Sequence, residues 1–145
     1  MKLTAAIIED ESKLREVFVQ LLQENCPEIE VMGEASNITD GYALILLKKP
    51  QVVFLDIEMP GGNGFELLSK FEKIPFETIF VSSYGHYAIK ALKLSALDYM
   101  LKPVMIEELV KVSGRIREAI ELKESALKYK SLLTNLKTPE QDKRI

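Results

Sequence analysis

The chain has 145 residues, 47% of them apolar and 28% charged, with a formal net charge of −3 and a single cysteine. That length supports one domain with a short appendage, the composition is globular rather than disordered, and a lone Cys26 excludes an internal disulfide framework, as expected of a reduced, cytoplasmic protein. No apolar stretch approaches the ~18 residues of a membrane span, and Glu9, Asp10 and Glu11 break the first apolar run before it reads as a secretory signal.

Thr4–Ile8 is nearly continuous in apolar residues, as a strand buried on both faces reads, and it ends in Glu9-Asp10. Ser12 is a plausible N-cap for a helix with Leu14, Val17, Phe18, Leu21 and Leu22 on one face, limited by Pro27. Ile29–Ala35 alternates, with Ile29, Val31, Gly33 and Ala35 set against Glu30, Met32 and Glu34, as an edge strand would. A second helix, about Thr39–Lys48, stops before Pro50. The third strand, Val52–Leu55, closes on Asp56. Gly61-Gly62-Asn63-Gly64 lacks the Gly-Lys-Ser/Thr ending of a phosphate loop and reads as a turn before a helix carrying Phe65, Leu67, Leu68 and Phe71. Thr78–Val81 is a fourth strand, ending in Ser82-Ser83, and His86–Leu94 a fourth helix. Ala96–Leu101 is a fifth strand, followed by Lys102-Pro103 and by a much longer helix from about Ile106.

Five alternations of strand and helix predict an α/β fold. The expected architecture is a doubly wound, five-stranded parallel sheet in the flavodoxin-like order 2-1-3-4-5, with an extended C-terminal helix. Ligands in such sheets sit at the carboxyl ends of the strands. Glu9, Asp10, Asp56, Ser82 and Lys102 are the residues that converge there. Each has a bland reading on its own: a solvated acidic loop favouring a helix start, loop serines, a surface lysine. Asp56 is harder to dismiss, because it closes an apolar strand. Carboxylates gathered on one rim repel unless compensated, and a hard divalent cation such as Mg²⁺, with its preference for oxygen ligands, is the simple remedy.

Four segments also carry a family resemblance: Ile7-Ile8-Glu9-Asp10-Glu11, Val53–Gly61, Phe80-Val81-Ser82-Ser83, and Leu97–Pro103. In this order and spacing they resemble the receiver domain of two-component response regulators, over about residues 1–122. The resemblance implies that Asp56 is the phospho-acceptor, fed by a sensor histidine kinase. It implies that Glu9, Asp10, Asp56 and the backbone carbonyl of Glu58 hold Mg²⁺. Ser82 and Lys102 would contact the phosphoryl group, Lys102–Pro103 would be a cis peptide, and Ser82 with Tyr99 would form the switch toward the fourth helix, fifth strand and fifth helix. Glu58 and Tyr84 fall at positions that tune hydrolysis of the phospho-Asp. Glu9 departs from the Asp often found there.

The chemistry is consistent with a phospho-acceptor rather than an enzyme acting on other molecules, since a carboxylate nucleophile needs charge neutralisation around the transferred group. An Asp-nucleophile phosphohydrolase of haloacid-dehalogenase type wants Asp-x-Asp after its first strand, where this chain has Asp56-Ile57-Glu58 after its third. A flavodoxin-type flavin site would need a phosphate loop where Glu9-Asp10-Glu11 would repel phosphate. His86, the only histidine, has no second histidine for a metal site, and Cys26 reads as a half-buried structural thiol.

Charge divides unevenly. Residues 1–101 carry 9 basic and 15 acidic side chains, whereas residues 102–145 carry 10 basic and 7 acidic. Ala119, Leu122, Ala126, Tyr129, Leu133 and Leu136 recur at heptad spacing, so residues 123–145 read as a helical extension and linker. That stripe can project as a dimer-forming helix or fold back on the domain. Thr138-Pro139 is expected to stop the helix, with a polar linker after it. Ala88-Ile89-Lys90-Ala91-Leu92 and Ser95–Tyr99 resemble LytTR-type regulators, which implies a homodimer on phosphorylation and DNA contact only through a domain absent from this chain. A stand-alone receiver is the alternative.

Overall fold

A computed structural model describes residues 2–143, with the backbone alone for 137–143. The elements alternate as β1 (Leu3–Ile8), α1 (Ser12–Asn25), β2 (Ile29–Ala35), α2 (Ile38–Lys48), β3 (Val52–Asp56), α3 (Gly64–Ser69), β4 (Glu77–Ser82), α4 (Ala88–Lys93, preceded by a 3₁₀ turn at Gly85–Tyr87), β5 (Asp98–Leu101) and α5 (Ile106–Lys143). All strand pairs are parallel, in the order β2-β1-β3-β4-β5. The expected doubly wound sheet is the one observed.

Two apolar layers flank the sheet. One joins Ala5, Ile7, Phe54 and Val81 to Phe18 and Leu22 of α1 and to Leu109, Val112 and Ile116 of α5. The other joins Ala6, Ile8, Val53, Leu55 and Phe80 to Ile38 and Ile45 of α2, Phe65 and Leu68 of α3, and Ala91 of α4. β3 is buried along its whole length. This is why its sequence is continuously apolar up to Asp56.

Several local expectations change. The alternation of β2 does not put Ile29, Val31, Gly33 and Ala35 on one face. Ala5 pairs with Val31 but Ala6 pairs with Gly33, so Met32 is an extra residue and the register shifts. Beyond this bulge the faces exchange. Ile29 and Val31 pack toward α1 and α5, whereas Ala35 packs toward α2. Gly33 lies against α2 too, since a Cβ there would come within 2.6 Å of Leu44.

Glu11, not Ser12, occupies the N-cap of α1, and its side chain makes no capping bond. Asn37 caps α2 by accepting from the Asp40 amide. Cys26 is fully buried rather than half-buried. Burial pushes its thiol pKa up, against the lowering effect of Ser113.

Helix α5 turns Leu109, Val112, Ile116 and Ile120 into the core and then leaves the domain. From Glu121 to Leu136 every residue is exposed, so the stripe projects instead of folding back. The helix runs on through Thr138 and Pro139 to Lys143, past the expected stop. Proline's fixed φ fits a helix, and water can take the carbonyl of exposed Asn135, which the missing N–H of Pro139 leaves unpaired. Of the expected polar end, Arg144 and Ile145 lie outside the described residues. Among the described residues no helix is long and apolar enough to cross a membrane.

Candidate functional site

The site is assembled where β1, β3, β4 and β5 end. β1 delivers Glu9 and Asp10, β3 ends on Asp56, β4 ends on Ser82, and Lys102 follows β5. Glu9, Asp56 and Ser82 are buried, and Asp10 and Lys102 are partly buried. Five residues named from sequence thus share one rim.

Lys102 is the electrostatic centre. Its ammonium lies 2.5 Å from Glu9 Oε1 and 3.3 Å from Asp56 Oδ2. The Lys102–Pro103 peptide is cis, and the Lys102 amide donates to the Ser82 carbonyl at 2.8 Å. Burial works against the charged ammonium, but the Glu9 bond and the nearby Asp56 charge outweigh it and raise the lysine pKa. Burial likewise opposes the Glu9 carboxylate. Its bonds from Lys102 and from the Glu11 amide (3.1 Å to Oε2) prevail and hold its pKa below the usual range.

Asp56 titrates differently. Burial first, and the Glu9 charge second, push its pKa up to about 7, and Lys102 only partly offsets them. Asp10 is also raised, by burial and then by Glu9. The rim therefore holds more negative charge than one lysine neutralises. Glu9, Asp10 and Asp56 offer oxygens within 4.8 Å of one another. An all-oxygen set with surplus negative charge suits a small, hard divalent cation. Both Glu9 oxygens are already engaged, so Asp10 and Asp56 are the carboxylates better placed to hold it directly.

The surrounding loops fix these groups. Arg15 of α1 donates to the Glu9 carbonyl at 2.6 Å and pairs with Glu34 at 3.3 Å, tying the acidic loop to β2. Gly64 lies so close beneath β3 that a Cβ would come within 2.5 Å of the Asp56 carbonyl. The turn before α3 uses left-handed Gly61 and Gly62, and Asn63 and Glu66 close a capping box. Ser82 Oγ accepts from the Tyr84 amide at 3.1 Å, and the Tyr99 hydroxyl donates to the Tyr84 carbonyl. Both expected switch residues thus meet at one residue of the β4–α4 loop. The Glu58 carboxylate accepts from the Tyr87 hydroxyl at 2.5 Å, joining the loop after β3 to the loop after β4.

Arg15 and Tyr87 were not singled out from the sequence, and Gly64 was read only as part of a turn before the third helix. The glycine had a signal, the run of three glycines around Asn63. The arginine and tyrosine had none, because their partners come from other loops.

Known proteins resemble this chain over most of its length. The family model described as the response regulator receiver domain matches residues 5–113. An uncharacterized response regulatory protein of Vibrio cholerae is 47% identical over 116 residues, 79% of this chain and 48% of that protein. The sensory transduction protein LytT of Bacillus anthracis is 34% identical over 128 residues, 84% of this chain and 52% of that protein. The receiver domain of AraT, a response regulator from Geobacillus stearothermophilus, superposes with a TM-score of 0.77 at 30% identity, covering 86% of this chain and 99% of that one. The chain spans about half the length of the curated relatives it matches.

Proposed function

The chain belongs to the response regulator receiver domain family, whose general function is phosphorylation-dependent signalling, and from that premise we propose that Asp56 is its phospho-acceptor. The observation that carries the reading is the buried Asp56 at the end of β3, 3.3 Å from the Lys102 ammonium and clustered with two further carboxylates.

In the proposed step, a sensor histidine kinase presents a phosphohistidine. An Asp56 oxygen attacks the phosphorus, the phosphorus–nitrogen bond breaks, and the imidazole keeps the electron pair. Lys102 and the Ser82 hydroxyl then stabilise the phosphoryl oxygens. Asp10, Asp56 and the Glu58 carbonyl would hold Mg²⁺, with Glu9 aligning Lys102 and contributing charge. That ion, when bound, supplies further neutralisation of the transferred group. The later hydrolysis regenerates Asp56, so the chain turns over only its own modification.

The switch arises from the same contacts. Drawing the Ser82 hydroxyl toward a phosphoryl group removes the acceptor of the Tyr84 amide. That loosens the loop whose carbonyl Tyr99 holds. Tyr99 is then released to move inward, altering the face formed by α4, β5 and α5. This face would drive homodimerisation. In the full-length cytoplasmic protein it would pass the signal to a LytTR-type DNA-binding domain and so to transcription. A stand-alone receiver is the second reading, because the double length of the relatives does not by itself assign an output domain to this protein.

Incubation with acetyl phosphate and Mg²⁺, read by intact mass, tests the acceptor. One phosphoryl adduct is expected, and none in Asp56→Asn. An undiminished adduct in that variant would refute the assignment.

A further inference from the structure

We propose that an apolar cavity between α1 and the segment after β5 is a binding site for a small arylalkylamine, an aromatic ring carrying a primary ammonium on a short arm, and that its occupation withholds Asp56 from phosphoryl donors. The antagonism rests on the receiver reading above; the binding rests on the cavity itself.

The cavity has a volume of about 150 Å³ and lies against the rim of the sheet. Leu14 and Val17 of α1 border it at the surface, 39% and 47% exposed. Phe18, Leu21, Phe54 and Val104 form its apolar wall. Close-packed interiors leave few voids larger than a water molecule, so a space of this size is not incidental. A water inside it would need two to four polar partners, which the wall does not offer. Apolar cavities of about 150 Å³ stay dry and admit a single benzene ring. The wall also favours an aromatic guest over an aliphatic one. Phe18 and Phe54 meet edge to face with their centroids 5.0 Å apart, an arrangement that a third ring can extend.

The polar end of the cavity selects the head group. Glu9, Asp56 and Lys102 line it. Lys102 is already shared between the two carboxylates, at 2.5 Å and 3.3 Å, so with both ionised one negative charge is left over. A carboxylate accepts from several donors at once, and a second ammonium can join without displacing the first. A ligand carboxylate would add to the surplus, and a neutral ring would leave it uncompensated. A hydrated metal ion has no use for the apolar wall. Asp10, the third carboxylate of the cluster that suits Mg²⁺, does not line the cavity. The amine therefore reaches Asp56 from the α1 side, apart from Asp10. Once bound, it occupies the carboxylate that must attack phosphorus.

The test titrates the 145-residue chain with 2-phenylethylamine, without divalent ions, and follows amide resonances. Shifts at Val17, Phe18, Asp56 and Val104 should saturate at or below about 10 mM, as befits a ligand of so few atoms. Ethylamine, which keeps the head group, and 3-phenylpropionate, which keeps the ring and reverses the charge, should each bind at least about tenfold more weakly. Val17→Trp, altered at an exposed position, should plug the mouth and weaken the amine by a similar factor. It should still take up the adduct from acetyl phosphate and Mg²⁺. In the parent protein, amine at ten times its Kd should slow that adduct about tenfold by mass action, and equimolar ethylamine should not. Shifts that do not saturate, a carboxylate analogue that binds as well, or undiminished binding in Val17→Trp overturns the site. Saturable binding that leaves the adduct rate unchanged overturns the antagonism. Absence of adduct in the amine-free sample overturns the acceptor reading and takes the antagonism with it, while the titration still decides the binding.

Discussion

Asp56 and Lys102 carry the electrostatics of the molecule between them. Burial and Glu9 raise the Asp56 pKa from 3.8 to about 7 in the metal-free fold. A carboxyl with a raised folded-state pKa stabilises the fold fully below its unfolded value, and that contribution is lost as pH rises through the folded value. Stability tied to Asp56 should therefore fall between about pH 4 and pH 7. Asp56→Asn removes this titration. Without divalent ions at pH 8 the variant should be more stable than the parent by roughly 2–4 kcal/mol, at ~1.4 kcal/mol per pH unit of displacement. The gap should close at pH 4 and shrink with added Mg²⁺. Thermal unfolding at the three conditions checks this, and a gap that does not change with pH contradicts the charge balance described for the rim. At this scale the sequence was informative about which residues gather, since each ends an apolar strand or lies within two residues of its end. It was silent on pairing. The contact between Glu9 and Lys102 joins residues 93 positions apart, and the one between Glu58 and Tyr87 joins two loops.

Among the elements, α3 and α4 show how the site is supported and what is free to move. Gly64 opens α3 directly under the Asp56 carbonyl, and its amide donates to the Ile57 carbonyl at 2.8 Å. Gly64→Ala would force a methyl group into backbone, which cannot swing aside as a side chain can. Overpacking of this kind costs about 1–3 kcal/mol. The variant should lose that much stability in denaturant unfolding and should accept phosphoryl groups more slowly, because the strain falls on the peptide of Asp56, the proposed acceptor. Unchanged rate and stability would mean that α3 does not position Asp56. Helix α4 is the opposite case. It has six residues and buries only Ala91, while Ile89 and Leu92 are 69% and 73% exposed. So little burial makes it an element that can shift at low cost. Strand identity was readable from apolar runs because β1, β3 and β4 are covered on both faces. The bulge at Met32 was not, because one inserted residue leaves the β2 alternation intact on paper while exchanging its faces in space.

Across the whole molecule, input and exit lie at opposite ends of the sheet. Asp56 sits at the carboxyl ends of the strands. Helix α5 leaves past Glu77 and Asp98, the first residues of β4 and β5. A signal must therefore cross the domain, and the contacts offer one route: Ser82 to the Tyr84 amide, the Tyr84 carbonyl to Tyr99, and Tyr99 in β5 toward the edge beside Arg115. The layer on the other face of the sheet is apolar at its centre. Leu109, Val112 and Ile116 are fully buried in it, in one cluster with Leu3, Ile29 and Ile79. A close-packed apolar layer resists displacement. Binding a phosphoryl analogue such as beryllofluoride with Mg²⁺ should therefore move the amide resonances of Ser82–Leu94 and Tyr99. Those of Leu109–Ile116 should stay nearly fixed. Tyr99→Phe, which deletes only the hydroxyl held by Tyr84, should bind the analogue equally well but reduce the difference between free and bound spectra in α4. Unmoved Ser82–Leu94 resonances in the parent protein would break this route at its first link, whereas a normal response in Tyr99→Phe would break it at the second.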